Sequence, residues 1–164
     1  MVFKIKNKKK VSSSSKLVKV GKIKLTREQK KRTFHLPVEQ AVIVPSTSGV
    51  KEQRKISNKE MTGRVNNVRR FFEDKFKGTT SVKTVGTFKL ESGKIIKEKG
   101  VKVTSFATKK DFNKNQRQII EQVGKWGNSW KQESINYENE GDLFIIDPPK
   151  NSKSKPKVMK VSKP

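Results

Sequence analysis

The stretch SNKEMTGRVNNVRRFFEDKFKG, residues 57–78, decides how this chain folds. Ser57 followed three positions later by Glu60 is a capping box: the hydroxyl takes a backbone N–H that the first helical turn would otherwise leave unpaired. Met61, Val65, Val68, Phe72 and Phe76 then recur at steps of four, three, four and four, the spacing of one helix face, and Gly78 stops the run. A helix is predicted here. Its outer side carries Lys59, Arg64, Arg69, Arg70 and Lys77, with Glu73 and Asp74 among them.

Working outward, QAVIV at residues 40–44 is a β-branched run closed by Pro45 and the loop STSG of 46–49, which predicts a first strand. Downstream, Val82, Gly86, Phe88 and Leu90 alternate through 80–90, ESGK at 91–94 signals a hairpin turn, and a return strand runs from Ile95 or Ile96 to Phe106. Thr108 with Asp111 opens a second helix whose apolar stripe is Phe112, Ile119, Ile120, Val123 and Trp126, ending at Gly127 and Asn128. A last strand starts near Gln132, places Ile135 and Tyr137 on one side, and resumes as LFII after Gly141. The order β-α-β-β-α-β predicts an α+β fold, a ferredoxin-like two-layer sandwich. Strands one and three would take the centre, and the sheet face away from the helices would be left open.

Two family patterns touch these strands. KGVKVTSF at 99–106 aligns with the third-strand signature of the RNA-recognition motif, but Val101 and Val103 stand where that family has its two stacking aromatics. Base stacking contributes ~1–3 kcal/mol per base, so that family is rejected and only the topology is kept. TSV at 80–82, Gly86, GKIIKE at 93–98 and VTSFAT at 103–108 resemble a group of uncharacterised small phage or plasmid proteins.

Charge sets the functional expectation. The 164 residues hold 40 Lys and Arg against 15 Asp and Glu, a net +25, with 30% hydrophobic residues, 34% charged residues and no cysteine. That composition predicts one modest core, and it excludes disulfide scaffolds and thiol chemistry. Residues 1–34 carry 13 basic side chains against Glu28 alone, and residues 147–164 carry six lysines against Asp147. With SSSS at 12–15 and Pro148, Pro149, Pro156 and Pro164, both ends have the composition of solvated extensions. The expected division is a basic arm at 1–34, an α+β domain at 35–147 and a basic tail at 148–164. Within the arm, KLVKVGKIKL at 16–25 predicts a bulged, lysine-edged strand.

A polycation of this size points to nucleic acid, DNA or RNA, held without sequence preference through its phosphates. The expected contacts are Lys4, Lys6, Lys8, Lys9, Lys10, Lys16, Lys19, Lys22, Lys24, Lys30, Lys31 and Arg32 in the arm, Arg64, Arg69 and Arg70 on the first helix, and Lys153, Lys155, Lys157 and Lys160 in the tail. No cofactor or metal is expected. No apolar run exceeds four residues, so no membrane segment and no secretory signal are expected, and the location read from this is cytoplasmic, or a virion if the chain is viral.

Catalysis finds little support at this level. His35 and Tyr137 are each the single residue of their kind, which leaves no histidine pair for a metal. Lys51, Arg54 and Lys55 precede a helix N-terminus but lack the GK[ST] ending of a phosphate loop. Glu133, Glu138, Glu140, Asp142 and Asp147 form one acidic cluster; Glu138, Glu140 and Asp142 would share a strand face if the strand ran straight through Gly141, an arrangement suited to Mg²⁺-dependent phosphodiester cleavage. The leading expectation is a non-enzymatic nucleic-acid-associated protein of a ribonucleoprotein or packaged viral genome. The alternatives are a structural protein whose arms thread between subunits, and the metal nuclease.

Overall fold

A computed structural model of the chain describes residues 18–20, 23–26, 28, 36–49, 54–89, 93, 95–151 and 154–161. The chain divides into two units, Met1–His35 and Leu36–Pro164. In the first unit, β1 (Val18–Val20) and β2 (Ile23–Leu25) pair antiparallel, Val18 against Leu25 and Lys19 against Lys24. The predicted single bulged strand is therefore two short strands paired with each other.

The second unit begins with β3 (Val38–Pro45), followed by the two-residue strands β4 (Thr47–Ser48) and β5 (Arg54–Lys55), which pair with each other. Helix α1 (Asn58–Phe76) starts as its sequence dictates, with Ser57 accepting from the Glu60 amide at 3.1 Å. It ends on Lys77, which takes the left-handed conformation at φ 69° and returns its N–H to the Glu73 carbonyl. Strands β6 (Thr80–Lys89) and β7 (Ile95–Ala107) follow, then helix α2 (Lys109–Ser129), capped by Thr108 accepting from the Asp111 amide at 3.1 Å. The chain closes with β8 (Ile135–Asn139), β9 (Asp142–Asp147) and β10 (Lys157–Lys160).

Six strands form one sheet in the order β10-β9-β8-β3-β7-β6, and every neighbouring pair is antiparallel. The fold is α+β: an antiparallel sheet with α1 packed on β7 and β3 and α2 on β8 and β9. Strands β3 and β7 lie inside the sheet, as their β-branched composition predicts. Val42, Val44 and Val103 are fully buried with Val68 and Phe72 from α1 and Ile119 and Val123 from α2. Burying an aliphatic or aromatic side chain of this size contributes about 1.5–3 kcal/mol, which is why one face of each helix is apolar.

Three sequence expectations are corrected here. The last strand is two strands: Glu140 and Gly141 adopt φ values of 50° and 82°, the paired left-handed residues of a tight hairpin, and Asn139 pairs with Asp142 across them. Helix α2 runs past Gly127 to Ser129, because its glycines serve packing and not termination. A methyl group on Gly127 would lie 2.6 Å from the Pro148 ring, and one on Gly124 would overlap Pro156. The segment after Asp147 is consequently docked against α2, with Asn128 Nδ2 donating to the Pro149 carbonyl at 3.0 Å, and β10 then pairs with β9 from Lys157↔Asp147 to Lys160↔Phe144. Residues 154–161 are thus part of the sheet unit, not a solvated tail.

Candidate functional site

Because side chains alternate along a strand, Val38, Gln40, Val42 and Val44 of β3 face the helices, and Ala41, Ile43 and Pro45 face the other way. The register carries this open face across the sheet: Ile43 lies opposite Lys102, Ala41 opposite Thr104 and Glu138, Glu138 opposite Leu143, and Asn136 opposite Ile145. A cavity of about 650 Å³ occupies this face, floored by Ile43, Pro45, Leu143, Ile145 and Val161. Its polar walls are Thr84 of β6, Glu98 of β7, the Gln132–Ser134 loop and Asn136, and it is bordered by the strand positions Thr87 and Lys99, whose side chains alternate to the other face.

Two devices position its carboxylates. Glu98 stands on β7 opposite Gly86, whose missing side chain leaves the cavity open there. Lys102, four residues further along the same face, is held by Glu138, so Glu98 has no ion-pair partner among the described residues. Its carboxyl is half-buried, and burial pushes its pKa above the usual carboxylate value. Glu133 sits on the loop after α2. That loop is braced by Gln132 Nε2 donating to the Thr47 carbonyl at 2.8 Å, Ser48 Oγ donating to the Trp130 carbonyl at 3.0 Å, and the Gly49 amide donating to the Lys131 carbonyl at 3.1 Å. The cavity therefore combines an apolar floor, amide and hydroxyl groups, and two carboxylates of which one sits above its ordinary pKa. Sequence reading missed Glu98 because nothing local marks it: its place in the cavity depends on the pairing of β6 with β7 and on the Gln132–Ser134 loop brought alongside them.

A second cleft, of about 470 Å³, lies between α2, β8, β9 and the 155–158 segment. Asn139 lines it, and its side-chain oxygen is buried without a partner among the described residues. Tyr137 lines it too, its hydroxyl donating to Gln40 Oε1 at 3.3 Å and its pKa raised by burial. On the rim, Arg117 donates to Glu121 at 2.8 Å, and that hydrogen bond leads the causes that lower the Glu121 pKa.

The predicted nucleic-acid contacts divide sharply. Lys4, Lys6, Lys8, Lys9, Lys10, Lys16, Lys22, Lys30, Lys31, Arg32 and Lys153 lie outside the described residues, as does His35. Lys24 is exposed, and so are Arg69, Arg70, Lys155, Lys157 and Lys160. Arg69 bonds Glu73 at 3.4 Å and Lys160 bonds Asp142 at 2.6 Å, so two of these cations are already paired. Arg64 is not on the outer face at all. Only 4% exposed, it donates to the Thr47 carbonyl and to Glu60, each at 2.8 Å, and lies 5.4 Å from the centre of the Trp130 ring. It belongs to the packing of α1 against the β4 and α2 ends, its two terminal nitrogens matched by Pro45, Thr47 and Glu60 while Nε is buried without a partner among the described residues. Its position three after Met61 and four before Val68 places it on the apolar stripe.

The acidic cluster does not converge. Glu138 is paired with Lys102 and Asp142 with Lys160, Glu140 forms the turn, and no group of three or more His, Asp or Glu suited to a metal exists among the described residues. Among those residues, too, no helix is long and apolar enough to cross a membrane.

No protein-family model matches the chain, and no curated protein does. Two solved structures match. One is a phage SAM lyase in complex with S-methyl-5′-thioadenosine, at 13% identity and TM-score 0.43, covering 77% of this chain and 89% of that one. The other is a phage SAM lyase in the apo state, at 14% identity and TM-score 0.43, covering 76% and 90%. Both are structures of an enzyme, whereas the sequence led to the expectation of a non-enzymatic protein. No residue role is taken from them.

Proposed function

We propose that the working site of this protein is the open-face cavity, that it binds a small molecule with an apolar body and a cationic or donor-rich end, and that Glu98 is its proton-exchanging group. One observation carries the reading: the larger of the two described cavities holds the described carboxylate whose pKa is raised by burial, a combination that marks working sites. Glu98 and Glu133 make the cavity a locally acidic concavity in a chain of net +25, so it favours a cation over the anions the rest of the surface attracts. The order β8-β3-β7-β6, with one helix between β3 and β6 and one between β7 and β8, supports reading the frame of this site as a split βαβ, ferredoxin-like unit extended by β9 and β10.

The test uses a matched pair of probes, benzyltrimethylammonium and neutral benzyl alcohol, followed by amide chemical shifts. The cation is expected to move the amides of Glu98, Leu143 and Ile145 more strongly than the alcohol, and Glu98→Gln to weaken it roughly tenfold, the effect of about 1.4 kcal/mol. Equal response to the two probes, or shifts elsewhere in the molecule, refutes the site.

A second reading is favoured by charge: association with the phosphate backbone of nucleic acid, without sequence preference. The net +25 supports it, as do the exposed, unpaired lysines of the described surface. An electrophoretic shift with random duplex DNA and RNA, repeated after trimming residues 1–34, tests it. Retention of a native complex after nuclease treatment would point to acidic protein partners in an assembly instead.

A further inference from the structure

Strands β6 and β7 pair over ten rungs, from Thr80↔Thr104 to Lys89↔Ile95, whereas β3 accompanies β7 only from Gly100 to Ala107. The rungs from Val85↔Lys99 onward therefore stand beyond the six-stranded sheet as a two-stranded ribbon, five rungs long, or about 17 Å at ~3.4 Å per residue. The register sorts its side chains. Val85 and Thr87 of β6 share one face with Ile95, Lys97 and Lys99 of β7, Lys83 continues that face one step inside the sheet at the ribbon's base, and Glu98 points to the other.

That face carries no acidic residue among the described residues. Lys83, Lys97 and Lys99 are exposed, and none is ion-paired with a described residue. Between them Val85 and Ile95 are 62% and 64% exposed, among the most exposed large apolar side chains described. The surface is thus an apolar strip flanked by free cations on a ribbon that projects from the body. A second copy of the chain would bring a second net +25 to it, whereas a polyanion would be attracted.

We infer that the β6–β7 ribbon is a duplex-DNA-binding element that enters the major groove, its lysines reaching the phosphates on either wall and Val85 and Ile95 packing against base edges. The inference rests on the nucleic-acid reading above. The B-form major groove, about 12 Å wide, admits a two-stranded ribbon, while the deep, narrow major groove of an RNA helix does not.

The experiment measures affinity of the full-length chain for a 24-base-pair random DNA duplex and for the matching RNA duplex across a salt series. It compares wild type with Lys83→Gln/Lys97→Gln/Lys99→Gln and with a helix control, Lys109→Gln/Lys110→Gln/Lys114→Gln. All six positions are exposed, so both variants keep the wild-type thermal midpoint. For DNA, the ribbon variant is expected to lose about 2.7 in log-log salt slope, ~0.9 per phosphate contact, and to lose wild-type protection of guanine N7 from methylation. The helix control is expected to keep that protection, and the ribbon variant to keep its RNA affinity. Wild-type DNA binding with an unchanged slope in the ribbon variant overturns the ribbon alone. Absence of wild-type binding to either duplex overturns the nucleic-acid reading together with it.

Discussion

The two faces of the sheet are built to different rules. On the helix side, Val42, Val44, Val103 and Ile146 are fully buried against Phe72, Ile119 and Val123, and the main polar intruder, Arg64, is held by two backbone carbonyls and Glu60. On the open side, Ile43, Leu143 and Ile145 are only partly covered, and a half-buried carboxyl lacks a cation. One face is closed, with Gln40 Nε2 and Arg64 Nε its buried donors without a partner among the described residues; the other is concave and open to solvent. The lesson is that the fold's stability resides on the first face, which leaves the second free to bind.

Substitutions can break this contrast, and the largest effect is expected in the core. Phe72→Ala should cost about 3–5 kcal/mol in urea unfolding, whereas Ile145→Ala on the open face should cost well under half as much, since its side chain is already part-exposed. Comparable losses would mean that both faces are structural. Next comes Arg64→Ala, with an expected loss of roughly 3 kcal/mol, because it strands the Pro45 and Thr47 carbonyls and the Glu60 carboxylate. An exposed basic side chain would give almost none.

Gly127→Ala sharpens the comparison at the sheet edge. The added methyl meets Pro148 at 2.6 Å, so the 148–160 segment should lift from α2, and amide exchange in β10 should rise while the amides of β3 stay protected. The smallest effect is a pH dependence. Glu98 has a higher pKa folded than unfolded, so the folded state holds the extra proton and stability falls as pH rises from about 4.5 through the folded value. Glu98→Gln should therefore be more stable than wild type near neutral pH and equal to it at pH 3.5, as measured by thermal midpoints.

Both helices were readable from sequence because capping and period are local properties. Ser57 with Glu60, and Thr108 with Asp111, do in the structure what their spacing implies. The strand order around β3 and β7 was legible for a similar reason, since ValIleVal and ValLysVal are the runs that suit burial in the middle of a sheet. What escaped was non-local. Pro148 and Pro156 read as markers of a solvated tail, yet they fit against Gly127 and Gly124, and neither partner means anything without the other. Gly141 read as an interruption of one strand, because only the backbone shows Glu140 and Gly141 turning together. Arg64 was hidden by its charge, although its spacing already put it among the apolar residues. The cavity could not be seen at all, since it exists only once β7 lies between β3 and β6.

The most direct test of the open-face site is a ¹³C titration of the Glu98 carboxyl carbon, identified by its loss in Glu98→Gln. The carbon should titrate above the ordinary carboxylate range in the free protein and move downward when benzyltrimethylammonium is bound, because a cation in the cavity favours the ionised form. Titration at about 4.5, unchanged by the cation, would show that Glu98 is merely a solvated strand residue and that the cavity is not the working site.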